Sequence, residues 1–592
     1  MTDFPFQRYL NVRSASAPSF APDGRSLCFV SDITGVPQLW QVPVEGGWPD
    51  ELTFTADRVT GGWFGHRTPF IVYGMDSGGN EREQLYLLAG AEVRDVAVDP
   101  AVMHRFGAIS WDDRQVAYSG NRRNPAYFDV YVRDLDGGEE RCVYEQDGSN
   151  FVSDWSRDGR YLAIFRQTGS LDSDLYLLDT ETGKARHLTP HEGMAIYAAA
   201  QFTPDGTALY LRTDQGSEFL RAACLDLSTG QIEFLTPDDR DVDAVVLAPD
   251  GSSLALVRNV DGYSLLTVRS LTSGEEIRVP DLPDGVVVQP AWSRDGSKLA
   301  FTFTGPADNP NIWVWDLGQH ACRQVTFATR GGLPRDSFAA PEPISYRSFD
   351  GLVIPAFLYM PPGRENPPVV MVVHGGPEGQ STPMFNPITQ YFVHRGFAVL
   401  TPNVRGSLGY GRTYTHLDDV EKRMDSVADL QAAVEWLRAS GRVDGEKIAV
   451  YGGSYGGFMV LAALTTYPDL WAAGVDIVGI ANLETFLRNT SAYRRHWRIP
   501  EYGDPDANAD LFREISPIHH VDRIEAPLLV IHGDNDPRVP LSEAEQIVEA
   551  LERRGRPVQF LHFPDEGHGV IKLKNKLVAY PAIAAFLDEY LS

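Results

Sequence analysis

The sequence predicts two parts in series: a seven-bladed β-propeller over residues 1–335, with a short amino-terminal extension, and a doubly wound, mostly parallel α/β sheet over 336–592. Three observations predict this. A turn motif recurs through the first half at nearly constant spacing. The recurrence stops near Gly331-Gly-Leu-Pro334. Beyond it, apolar strand candidates alternate with helical patterns.

The repeat is an aromatic or apolar residue, then Pro-Asp-Gly or Arg-Asp-Gly, then a short apolar strand. It reads Phe20-Ala-Pro-Asp-Gly24, Trp155-Ser-Arg-Asp-Gly159, Phe202-Thr-Pro-Asp-Gly206, Leu247-Ala-Pro-Asp-Gly251 and Trp292-Ser-Arg-Asp-Gly296. Two degenerate copies, Trp63-Phe-Gly-His66 and Trp111-Asp-Asp113, fill the gap. Asp-Gly marks a tight turn because glycine takes positive φ without steric cost. Aligned positions at 112, 158, 205, 250 and 295 step by 45–47 residues, the spacing of propeller blades rather than of a sandwich array.

The stretch Ala339-Ala-Pro-Glu-Pro343 reads as a linker. After it come strand candidates at Val369–Val373, Ala398–Leu400, Ile448–Val450, Gly474–Val478, Leu528–Ile531 and Val558–Leu561. Between them, Val427, Leu430, Val434 and Leu437 fall on one helical face. Strands alternating with helices predict a parallel sheet covered on both sides.

Composition narrows the function. The net charge of −28 denies nucleic acid the basic footprint it needs. No apolar run approaches the ~18 residues of a membrane span, and the amino terminus has no signal-like apolar region. Cys28, Cys142, Cys224 and Cys322 lie far apart in strand-like runs without metal-binding spacing. They read as buried, reduced thiols of a cytoplasmic protein with no metal and no organic cofactor.

Gly452-Gly-Ser-Tyr-Gly456 fits Gly-x-Ser-x-Gly and lies between a strand candidate and the helical run Phe458–Thr466. That is the strand–turn–helix context in which an α/β-hydrolase fold presents a nucleophilic serine, here Ser454. A serine needs a base, and the chain order in this fold is serine, acid, histidine. His532-Gly-Asp-Asn-Asp-Pro-Arg538 offers Asp536 as the acid, with Asp534 as the alternative. Pro564-Asp-Glu-Gly-His-Gly569 offers His568 as the base. His374-Gly-Gly-Pro377 matches a loop that completes an oxyanion hole, so the Gly376 N–H is paired provisionally with that of Tyr455.

Taken together, the propeller, His374-Gly-Gly-Pro377, Asn403-Val-Arg-Gly406, Gly452-Gly-Ser-Tyr-Gly-Gly457, His532-Gly-Asp-Asn-Asp-Pro-Arg-Val539 and Gly567-His568 resemble the prolyl oligopeptidase family of serine peptidases, and most of all its acylaminoacyl peptidase branch. The resemblance implies cleavage of short peptides under a propeller that excludes folded proteins. It implies a substrate-binding role for Arg538, while Arg405 reads as structural. A tyrosine of the prolyl-specific and dipeptidyl branches is replaced here by His374. Glu81 and Glu83 read only as adjacent acids in a loop.

Arg488, Arg494, Arg495 and Arg498 crowd one segment between the candidate serine and acid. They read as surface ion pairs or, alternatively, as a receptor for a substrate carboxylate. The expected activity is removal of amino-terminal residues, blocked or free, from short peptides. Dipeptidyl, carboxy-terminal and carboxylesterase activities are the alternatives, and a homo-oligomer is compatible with the sequence.

Overall fold

The computed structural model describes residues 4–592. Seven four-stranded antiparallel sheets follow in chain order. The first comprises Ala15–Phe20, Ser26–Ser31, Gln38–Pro43 and Asp50–Glu51; the last comprises Val286–Trp292, Lys298–Gly305, Asp308–Asp316 and Ala321–Gln324. The third and fourth are joined by one parallel bridge, Phe128 to Ser149, and so form a continuous eight-stranded sheet. First strands of neighbouring blades touch, Ala15–Phe20 against both Val59–Phe64 and Val286–Trp292 for example, so the first strands line the axis.

The repeated turn joins the first and second strand of a blade. In the fourth blade the Asp158 carboxylate accepts the Ser156 hydroxyl at 2.6 Å and the Arg160 N–H at 3.0 Å, while Gly159 takes φ +77°. Each blade comes from one continuous segment, so the ring closes without a shared sheet, through one backbone bridge between Val12 and Arg330, where the Arg13 N–H donates to Thr329 O at 2.8 Å, and through side chains. Gln289 Oε1 accepts the Ala17 N–H at 2.9 Å, and Arg323 pairs with Glu45 at 2.6 Å. Phe20, Leu27 and Phe29 of the first blade share a core with Ile312 and Val314 of the seventh. Burying such side chains contributes roughly 1.5–3 kcal/mol each, which outweighs the exposed ion pair.

The second part is an eight-stranded sheet in the spatial order Glu342–Arg347, Val353–Tyr359, Ala398–Pro402, Val369–Val373, Ile448–Gly453, Ala473–Ile477, Leu528–Gly533, Val558–Phe563. The first two strands are antiparallel to their neighbours and the remainder are parallel. The central strands are apolar throughout because both faces are covered. Arg423–Ser440 and Tyr455–Thr466 bury one face; Pro387–His394 and Leu573–Leu591 bury the other. This is the α/β-hydrolase arrangement.

Two expectations change. The amino-terminal extension, grouped with the propeller, packs its helix Phe6–Leu10 on the second part instead, with Phe6 stacked on Tyr391 at 3.6 Å. Its apolar side chains fit the gap between Pro387–His394 and the last helix. The four cysteines are unpaired, but only Cys28 is buried; Cys142 is exposed on an outermost blade strand. Among the described residues, no helix is long and apolar enough to cross a membrane.

Candidate active site

Ser454 sits on a sharp turn between the strand Ile448–Gly453 and the helix Tyr455–Thr466, at φ 59° and ψ −121°. A non-glycine residue in this region is strained, which is how the turn projects the hydroxyl. The neighbouring glycines are obligatory: a Cβ on Gly452 would lie 2.2 Å from Gly456 O, and one on Gly456 would lie 2.3 Å from Val373 O. The turn is pinned by the Ser454 N–H, which donates to Ile477 O at 2.9 Å.

Asp536 and His568 meet at this edge of the sheet. His568 Nδ1–H donates to Asp536 Oδ2 at 2.7 Å, and the N–H groups of Arg538 and Val539 donate to Oδ1 at 2.8 and 3.0 Å. The Asp536 side chain is fully buried, so three donors define one orientation. His532 lies behind it, donating Nε2–H to Val539 O at 2.9 Å, and burial lowers its pKa so that it stays neutral. With Nδ1–H engaged, His568 Nε2 carries the lone pair. Asp534, the alternative acid, instead pairs with the exposed His562 at 2.8 Å and does not meet His568.

The Gly375 Cα runs against the turn: an added Cβ would be 3.4 Å from Ser454 Cβ. Among the described residues, neither the Tyr455 nor the Gly376 N–H donates a backbone hydrogen bond, so both remain open for a developing oxyanion. His374, kept neutral by burial, holds the loop with Nε2 2.8 Å from Ser407 Oγ.

The Tyr455 side chain points away from the site. Its hydroxyl donates to Asp418 at 3.0 Å, and the buried Arg423 bonds both Asp418 and Glu501. Asp418, Asp419 and Glu501 form the one carboxylate cluster among the described residues with metal-binding proximity. The Arg423 guanidinium is already the cation between two of them.

The arginine segment divides. Arg488 forms exposed ion pairs with Glu484 and Asp506, and Arg495 caps the carbonyls of Leu487 and Arg488. Those two have the surface role. Arg494 and Arg498, on the helix Ala492–Tyr502, line a cavity of about 800 Å³ between the two parts. Arg498 pairs at 2.8 Å with Glu378, two residues beyond Gly376. Arg494 makes no ion pair among the described residues, and its pKa is lowered by burial and by Arg498 and Arg538. Arg405 is buried against Asp429 at 2.9 Å, a structural pair.

Sequence reasoning missed Glu81. The propeller loop between Ile71–Met75 and Gln84–Ala89 lies directly on the acid and histidine loops. Gly78 O accepts Asn535 Nδ2 at 3.1 Å, and a Cβ on Gly79 would lie 2.6 Å from Gly567 N. Glu81 follows, its Oε1 accepting Arg538 Nε at 2.6 Å. Its Oε2 is buried without a hydrogen-bond partner among the described residues. The available signal was length: residues 76–83 join strands that only two residues join in the third, fourth, sixth and seventh blades.

The profile described as "Prolyl oligopeptidase family" matches residues 383–592, and that described as "Prolyl oligopeptidase, N-terminal beta-propeller domain" matches residues 58–318. Dipeptidyl aminopeptidase BIII of Pseudoxanthomonas mexicana is 27% identical, covering 96% of this chain and 86% of that one. Acylamino-acid-releasing enzyme of Arabidopsis thaliana is 26% identical, covering 75% of this chain and 59% of that one. The solved structure of a Mycobacterium tuberculosis puromycin-hydrolyzing peptidase superposes with a TM-score of 0.88 at 20% identity, covering 100% and 97% of the two chains.

Proposed function

The chain belongs to the prolyl oligopeptidase family of serine peptidases, and from that premise we propose that it releases dipeptides from the free amino end of short peptides. One observation carries the choice of end: the Glu81 Oε2, buried and unpartnered beside Arg538, two residues past Asp536. A buried carboxylate oxygen without a donor is costly unless a ligand supplies one. A peptide ammonium supplies three N–H donors and the opposite charge. The extent of similarity to a dipeptidyl aminopeptidase, 96% of the chain, supports the same end preference.

In this reading, Ser454 attacks the carbonyl of the second residue while His568 takes its proton. Asp536 holds the imidazole in the required tautomer. The N–H groups of Tyr455 and Gly376 receive the oxyanion, and His568 returns the proton to the leaving amine. Water then cleaves the acyl-enzyme by the same route. Arg538, anchored through Nε by Glu81, presents its remaining N–H groups to a substrate carbonyl. The cavity of about 800 Å³ does not include Ser454 in its lining but adjoins the site through Glu378, two residues beyond Gly376, and has the size to take the rest of a short peptide. Four unpaired cysteines support a reducing, cytoplasmic setting.

His374-Gly-Gly-Pro377 favours a second reading, release of blocked amino-terminal residues. One peptide prepared free, amino-acetylated and carboxy-amidated separates the two when products are weighed by mass spectrometry. We expect the free-amine peptide to lose a dipeptide, and Glu81→Gln to lower its kcat/KM about 100-fold, the scale of a lost buried charge pair. Faster cleavage of the acetylated peptide would overturn the dipeptidyl reading.

A further inference from the structure

The propeller axis holds two cavities in line. The larger, about 800 Å³, faces the hydrolase part; the smaller, about 300 Å³, lies at the outer mouth. Their linings are consecutive on the same strands. Ala198 belongs to the first and Gln201 to the second; Ala244 to the first and Val246 to the second; Gln289 to the first and Pro290 to the second. Strand bulges at Ala198/Gln201 and Val288/Ala291 mark the waist between them. The two cavities therefore lie end to end along one axis, with the bulged inner strands between them.

The outer end is lined by the repeat turn itself, and there the repeat is not uniform. Where the fifth and sixth blades place Pro204 and Pro249, the fourth and seventh place Arg157 and Arg294. Arg157 stacks on the Trp111 ring at 4.4 Å. Arg294 reaches across the mouth from the seventh blade to the second, donating to Gly65 O at 3.2 Å. Neither guanidinium forms an ion pair among the described residues, although Asp113 acts on Arg294 from beyond ion-pair distance. Asp154, a carboxylate in this lining, is engaged by the Phe202 N–H at 2.8 Å. His66 stacks on the opposite side at 4.3 Å from Trp111, its proton affinity depressed by burial and by both arginines. Asp113, whose carboxylate accepts the N–H groups of His66, Arg67 and Thr68, also faces this lining, so the mouth presents two guanidiniums beside two carboxylates that backbone N–H groups already engage.

We propose that Arg157 and Arg294 bind the carboxy-terminal carboxylate of a peptide lying along the axis. Guanidinium forks match a carboxylate bidentately, and Trp111 with the prolines supplies apolar surface for the last side chain. The direction rests on the amino-terminal reading above: with the amine held at Glu81, the carboxyl end is the distal one. The six-residue inner strand Tyr197–Phe202 spans about 20 Å at ~3.3 Å per residue, so roughly six extended residues cover the same length. A tetrapeptide is shorter than this span, whereas a peptide of about ten residues exceeds it.

The test measures binding, so it does not depend on which end is cut. Fluorescent peptides of ten and four residues, each as free acid and as amide and labelled on a mid-chain side chain, are titrated against Ser454→Ala protein by anisotropy. The same titration is run with Arg157→Pro and Arg294→Pro added. Proline is the residue that sister blades carry at this turn, and Arg157→Gln with Arg294→Gln serves if the proline variants fail to fold. We expect the ten-residue acid to bind about tenfold tighter than its amide, a preference that the double variants abolish. The tetrapeptides should show no acid preference at the outer mouth. Equal affinity of acid and amide at ten residues would overturn the proposal, as would a preference that survives in the variants. An acid preference at four residues that the arginine variants leave intact would place the receptor in the inner cavity, at Arg494, and would also overturn it. Product weighing on active enzyme reports separately on the amino-terminal reading.

Discussion

The two sides of the active site are built by different rules. On the hydrolase side, Ser454, Asp536 and His568 come from loops at the ends of parallel strands in one sheet, and N–H donors within two or three residues fix the acid. On the propeller side, Glu81 arrives on a loop from a separate domain. It is held by contacts that exist only when the two parts are apposed: Gly78 to Asn535, Gly79 against Gly567, and Glu81 to Arg538. In the proposed reading, the chemistry rests on local backbone geometry, and substrate choice rests on domain apposition. Damage to the first should stop turnover of every substrate, whereas damage to the second should depend on the substrate or on how the domains meet.

The largest expected effect tests the hydrolase side. Ser454→Ala should remove activity on ester and amide substrates alike, and Asp536→Asn should lower kcat roughly 10⁴-fold by losing the histidine tautomer. Asp534→Asn, which touches His562 instead, should change kcat less than about twofold. Comparable losses from both aspartates, measured by active-site titration and steady-state kinetics, would break the assignment of Asp536.

A smaller effect tests the coupling between the sides. Gly79 has φ +76° and its missing Cβ would meet Gly567 N at 2.6 Å, next to His568. Gly79→Ala should therefore disturb the histidine loop from the propeller and reduce kcat about tenfold, since displacing a catalytic group by a fraction of an ångström is costly. Gly90→Ala, also at positive φ but with nothing within 4 Å, should cost stability alone. If both variants lower Tm equally and leave kcat alone, apposition does not position the histidine.

The contrast also explains what was legible. The blade repeat shows in the sequence because each Asp-Gly turn solves one local problem, and Gly452, Gly456 and Ser454 show because the turn tolerates no Cβ beside it. Asp536 and His568 follow from chain order on a known sheet. Glu81 does not show, because its role depends on an approach between residues 457 positions apart in the chain. The arginine segment is half legible: composition marks it, but the phase of the helix Ala492–Tyr502 sends Arg494 and Arg498 to the cavity and Arg495 away from it, while Arg488 belongs to the preceding helix Leu483–Asn489. The amino-terminal extension reads with the propeller that it precedes, because Phe6 and Tyr9 carry no signal of which core they join.

The smallest expected effect asks whether the hydrolase side separates stability from chemistry. Asp476 lies on the strand beside the serine turn, paired in register with Gly452, and is fully enclosed near Gly457 and Gly479. Burial pushes its pKa up to about 7. The unfolded value is about 3.9, so between these two the folded protein binds more protons than the unfolded one. The Asp476 contribution to stability is therefore fully present below pH ~4, falls as pH rises towards about 7, and is level above. Asp476→Asn removes this titration. Relative to wild type, the variant should gain apparent Tm between pH 5.5 and pH 8, by about 2–4 °C, because other titrating groups are common to both proteins and cancel. Asp476 touches no reacting atom, so kcat at saturating substrate should stay within about twofold. A pH-independent Tm difference would mean that Asp476 is ionised in the folded state. A large loss of kcat would mean that the serine turn depends on this carboxyl, and that the separation between fold and chemistry fails one strand away from Ser454.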